Sequence, residues 1–80
     1  MAGDYGRPVK RSVTIAGHET SISLEPMFWE ALEQAALQRS VPVNALIAEI
    51  DAERIESRPT PNLTSALRQW LLGRAGSADD

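Results

Sequence analysis

Cysteine is absent from the 80 residues, so disulfides and thiolate metal sites are both closed to this chain. Histidine occurs once, as His18, and a single imidazole does not build a zinc site. No metal and no cofactor are therefore expected. No apolar run approaches the roughly 18 residues that a membrane-spanning helix needs, and the N-terminus has no export-type apolar stretch. A cytoplasmic chain with no membrane partner is expected. Catalytic classes drop out as well. There is no glycine-rich phosphate loop, and Ser21 and Ser23 have no His or Lys at a spacing that would activate them. Glu49, Asp51, Glu53 and Glu56 spread around a helix instead of converging on a cation, which reads as a solvated acidic face. No enzyme is expected.

What is present is a globular composition, 42% apolar and 24% charged. A single core of this size supplies only about 3–5 kcal/mol, and with no disulfide or metal available the expected supplement is a second copy of the chain. Net charge is −3, but its distribution is uneven. Arg7, Lys10 and Arg11 face only Asp4 in the first 18 residues. The middle of the chain is acidic, and Arg58, Arg68 and Arg74 follow with no acid among them. Basic ends thus flank an acidic centre.

Residues 1–9 are polar and glycine-bearing and read as an arm, residues 10–73 as one domain, and residues 74–80 as a loose tail. Val13 and Ile15 alternate with Ser12 and Thr14, and Ile22 and Leu24 alternate with Ser21 and Ser23. Gly17 sits between the two runs, where a tight reversal needs positive φ, so residues 10–24 read either as a β-hairpin or as an arm followed by one strand. Pro26 opens a first helix with Phe28, Leu32, Ala35 and Ala36 on one face and Trp29 beside it. A second helix runs from about Val43 to Glu56 with Val43, Leu46, Ile47 and Ile50 inward. Pro59 and Pro61 break it. A third helix, capped by Thr60 or Asn62, carries Leu63, Leu67, Trp70 and Leu71 and ends at Gly73 and Gly76.

One strand and two amphipathic helices do not close a core. Two copies pairing Thr20–Leu24 antiparallel would bury Ile22 and Leu24 against four helices and present Glu19, Ser21 and Ser23 outward. A two-stranded ribbon of that width fits the DNA major groove. The run Thr20-Ser21-Ile22-Ser23-Leu24, the spacing of Phe28, Leu32, Ala35 and Ala36, and the run Val41-Pro42-Val43-Asn44-Ala45-Leu46-Ile47 together resemble the ribbon-helix-helix family of bacterial repressors. Arg11-Ser12-Val13, Gly17-His18, Ile50-Asp51-Ala52-Glu53 and Asn62–Arg68 are similar to a subgroup of small bacterial members, extending the likeness over about residues 10–72. Pro42 stands where the family usually has a serine cap, and Glu25 where it usually has proline.

The resemblance implies an α+β intertwined homodimer, here with an N-terminal hairpin or arm and an additional C-terminal helix. Its core would hold Ile22, Leu24, Phe28, Leu32, Leu46, Ile47 and Ile50. It also implies base reading by Glu19, Ser21 and Ser23, and a phosphate clamp formed by the amides of Val43 and Asn44. Arg7, Lys10 and Arg11 are either additional phosphate contacts or a solubilising cluster. Two functions are expected from this. One is a transcriptional regulator bound to double-stranded DNA. The alternative is an antitoxin-like adaptor that keeps the dimer scaffold and docks another protein through its C-terminal helix.

Overall fold

The computed structural model describes residues 6–78, with side-chain surroundings from Gly6 to Arg74. Two antiparallel strands, β1 (Val9–Ile15) and β2 (His18–Leu24), are followed by α1 (Pro26–Gln38), α2 (Val43–Glu56) and α3 (Leu63–Ala78). This is an α+β arrangement, and residues 10–24 take the hairpin alternative. Ile15 pairs with His18 and Val9 with Leu24, so the turn is the dipeptide Ala16-Gly17. Both turn residues have positive φ, 52° and 83°. That geometry matches the twist of the flanking strands. Gly17 adopts it freely, whereas Ala16 does so at roughly 1–2 kcal/mol because of its Cβ.

Pro26 occupies the first helical turn of α1, where its missing N–H leaves no bond unmade. The helix ends in a left-handed residue, Ser40, at φ 58°. Val41 N–H donates to the Ala36 carbonyl and Ser40 N–H to the Leu37 carbonyl, each at 3.0 Å. These two bonds satisfy the orphan carbonyls of the last turn and swing the chain into α2. Pro42 then precedes α2 with no side-chain cap. Of the two caps expected for α3, Asn62 is the one used: its Oδ1 accepts from Ser65 N–H at 2.8 Å, while the Thr60 hydroxyl donates to the Ser57 carbonyl. α3 does not stop at Gly73 but continues through Gly76 to Ala78. A glycine in a helix interior costs only about 1 kcal/mol relative to alanine, so neither Gly73 nor Gly76 alone ends the helix.

Every element supplies the core: Val13, Ile22, Leu24, Trp29, Leu32, Ala35, Ala36, Leu46, Ile47, Ile50, Ala66, Leu67 and Leu71 are buried. Two expectations are corrected here. Trp29, placed beside the first-helix face, is 1% exposed, while Phe28 is only half-buried. The positions 29, 32 and 36 share the same helical spacing, and the indole enters because its N–H has a partner, the Val9 carbonyl at 2.8 Å. The second correction concerns Ile22 and Leu24, which do not wait on another chain for burial. β1 and α3 of the same chain cover them, together with Leu32, Leu46, Ile47 and Ile50.

Candidate nucleic-acid interface

Strand alternation sorts the hairpin into two faces. Inward lie Val13, Ile22 and Leu24, with Ile15 partly buried against the core. Outward lie Lys10, Ser12 and Thr14 on β1 and Glu19, Ser21 and Ser23 on β2, all exposed. Across the strands Lys10 pairs with Ser23, Ser12 with Ser21, and Thr14 with Glu19. The three expected base readers, Glu19, Ser21 and Ser23, are therefore brought onto one surface with Lys10. Ser12 and Thr14 complete that surface and were not singled out as site residues. The signal for them was the two-residue reversal at Gly17, which fixes the register opposite Ser21 and Glu19.

Arg11 goes elsewhere. Its place in the alternation is inward, at the margin of the core, where Nη1 donates to Glu33 Oε2 at 2.8 Å. The guanidinium lies 4.6 Å from the centroid of the Trp29 ring. Arg11 thus fastens β1 to α1 by a charge-assisted hydrogen bond and a cation–π contact. Arg7 is exposed just ahead of β1. Arg11 still keeps an exposed side chain, and Lys10 and Arg7 are the other described basic residues facing solvent at this end of the hairpin.

Val43 and Asn44 open α2, at the far end of α1 from the hairpin and roughly 20 Å of helix away from Leu24. The first helical bond of α2 runs from Leu46 N–H to the Pro42 carbonyl at 3.1 Å, so the Val43 and Asn44 amides precede the intrahelical ladder. No acidic side chain occupies that first turn. The open amides and the helix dipole together suit an anion there. Arg39, at the end of α1, pairs with Glu49 Oε1 at 2.7 Å and lies 6.0 Å from the Trp70 ring centroid.

A polar tie links the end of β2 to α3. Arg68 Nη2 donates to both carboxylate oxygens of Glu25, at 2.9 and 3.1 Å, and its guanidinium lies 5.5 Å from the Phe28 ring centroid. The Arg68 hydrogen bond holds the Glu25 carboxyl below its ordinary pKa. A backbone N–H bond and the Arg68 charge act in the same direction, against a small opposing effect of burial. On α2, Asp51 accepts from Arg54 Nε at 2.8 Å and Glu49 is engaged by Arg39. Among the described residues no group of three His, Asp or Glu side chains converges on a common point. An open cleft of about 470 Å³ lies between the hairpin turn, α2 and the start of α3, lined partly by Ile15, His18, Arg54 and Leu63. No helix of the described residues is long and apolar enough to cross a membrane.

Comparison with known families finds a match to the ribbon-helix-helix domain over residues 8–75. No curated protein and no solved structure matches the chain. The matched span takes in both strands, α1, α2 and most of α3. That domain is a non-enzymatic DNA-binding fold and typically dimeric. The chain belongs to the ribbon-helix-helix domain family.

Proposed function

We propose that this protein is a cytoplasmic transcriptional regulator that binds double-stranded DNA through the outer face of its hairpin. The observation that carries the reading is that face itself: Lys10, Ser12, Thr14, Glu19, Ser21 and Ser23 are polar and exposed on a ribbon whose other side is fixed in the core. Hydroxyls, an ammonium and a carboxylate match donors and acceptors on base edges in the major groove. Arg7 and Lys10 supply phosphate contacts beside it, and the Val43 and Asn44 amides supply another at the start of α2.

Binding of labelled duplex DNA across a salt series tests this. Affinity is expected to fall steeply with salt, and Arg7→Ala and Lys10→Ala are each expected to lower the log–log slope by about one where the residue contacts a phosphate. Negligible affinity for every duplex at low salt refutes it. A second reading, a protein-docking adaptor, is favoured by apolar side chains left outside the core. Leu72 on α3 is 66% exposed and Leu37 on α1 is 72% exposed. That reading expects no salt-dependent DNA complex.

A further inference from the structure

We infer that the cleft beneath the hairpin turn is a binding site for a small organic monocarboxylate with a short apolar tail. The inward side of the hairpin outruns the core. Alternation puts His18, Thr20, Ile22 and Leu24 on one side of β2, yet only Ile22 and Leu24 are buried. Opposite Thr20 stands Val13, the last buried residue of β1, and opposite His18 stands Ile15. The turn end of the hairpin therefore overhangs α2 and the start of α3. The cleft between these jaws measures about 470 Å³, within the roughly 300–1,000 Å³ of small-molecule sites.

Its lining divides by chemistry. Ile15 and Leu63 give it an apolar wall. The other side is rich in donors. Arg54 is held in place by two bonds, from Nε to Asp51 Oδ1 at 2.8 Å and from Nη1 to the Pro61 carbonyl at 3.2 Å. A guanidinium has five N–H groups, and among the described residues Nη2 has no partner. Asn62 Oδ1 already accepts from Ser65 N–H, so its side chain still offers the amide NH2. Thr20 and His18, which also line the cleft, each add a donor.

Donors of this kind call for a head group that only accepts, and a carboxylate is one. Asp51 is the acid in the lining, and its charge offsets that of Arg54. That balance suits a singly charged head better than a doubly charged phosphate. The apolar wall takes the tail. The cleft lies on the opposite side of the hairpin from Ser12, Thr14, Glu19 and Ser21, so its occupancy does not depend on the DNA-binding reading.

Heteronuclear NMR of the full chain titrated with hexanoate tests this. Saturable amide shifts are expected at residues 15–20, 51–54 and 62–63. Hexan-1-ol lacks the charge and acetate lacks the tail, and each is expected to bind at least about tenfold more weakly. His18→Ala and Thr20→Val, both at exposed positions, are each expected to weaken hexanoate binding about threefold. Arg54→Lys keeps the charge but loses the guanidinium fork, and is expected to weaken it about tenfold. Circular dichroism of the three variants checks that the fold is retained. Shifts that do not saturate, an equal response to hexan-1-ol or acetate, or undiminished binding in all three variants overturns the inference. No response at those amides, as when a second copy of the chain covers the cleft, overturns it equally.

Discussion

Replacing Trp29 by phenylalanine isolates what holds the hairpin on the helices. The substitution keeps an aromatic side chain in the core but removes the indole N–H that donates to Val9 and part of the ring volume. The lost hydrogen bond is worth about 1 kcal/mol. Deleting part of a ring that is 1% exposed adds about 1–2 kcal/mol for lost transfer and residual cavity. A weaker cation–π contact with Arg11 adds about 0.5 kcal/mol. The sum, about 3 kcal/mol, is a large share of the roughly 5–15 kcal/mol stability of small domains. In urea the midpoint is expected to fall accordingly, and by heat each kcal/mol shifts it by roughly 4–8 °C. Phe28→Leu, on a half-buried neighbour, is expected to cost under about 1.5 kcal/mol. Hydrogen exchange provides the local signature: in Trp29→Phe the β1 amides are expected to accelerate more than those of α2. A loss below about 1 kcal/mol, or uniform acceleration throughout, would refute the assignment of Trp29 as the fastening of β1.

Three further outcomes follow from the backbone and from one carboxylate. Ser40→Gly relieves the left-handed C-terminal residue of α1 and is expected to raise stability by about 0.5–1 kcal/mol in urea titration. Gly73→Ala places a methyl group where no atom lies within 4 Å, so it is expected to stabilise α3 by about 0.5–1 kcal/mol and to raise helical circular dichroism. Glu25, held by Arg68 below the ordinary carboxyl value of 4.5, contributes stability that is complete above that value and is lost as pH falls through the lower folded pKa. Glu25→Gln is expected to be less stable than wild type at neutral pH and to shallow the acid limb of the stability profile. Parallel acid limbs in the two proteins would show that the Arg68 bond does not act this way.

Much of the architecture was legible because its signals are local. Gly17 and the alternation around it marked the reversal, and the bounds of α2 followed from Pro42 before it and Pro59 and Pro61 after it. The features that escaped depend on partners distant in sequence. Nothing near Trp29 says that a carbonyl twenty residues earlier will take its N–H, so the more hydrophobic Phe28 looked the better core residue. Arg11 beside Lys10 looked like one basic cluster, yet alternation places them on opposite sides of the sheet, and Glu33 and Trp29 claim only the inward one. α3 outran Gly73 and Gly76 because a helical glycine costs only about 1 kcal/mol, which is a weak stop signal. The outer ribbon surface was half read: β2 residues were recognised from their own strand, while Ser12 and Thr14 needed the register.

The two tryptophans occupy contrasting surroundings, and this gives the molecule two separate optical reporters. Trp29 is buried under the hairpin, whereas Trp70 is half-exposed, with Arg39 and Arg74 at 6.0 and 5.8 Å from its ring centroid. Iodide, drawn by those two guanidiniums, should quench Trp70 emission and leave Trp29 dark to the quencher until β1 lifts. Caesium should be repelled from the same ring. Release of α3 would then appear as a change in anion quenching with no red shift of the buried indole, while opening of the hairpin would appear as the shift first. With Trp29→Phe and Trp70→Phe separating the two signals, stopped-flow fluorescence can time the two ends of this 80-residue chain independently.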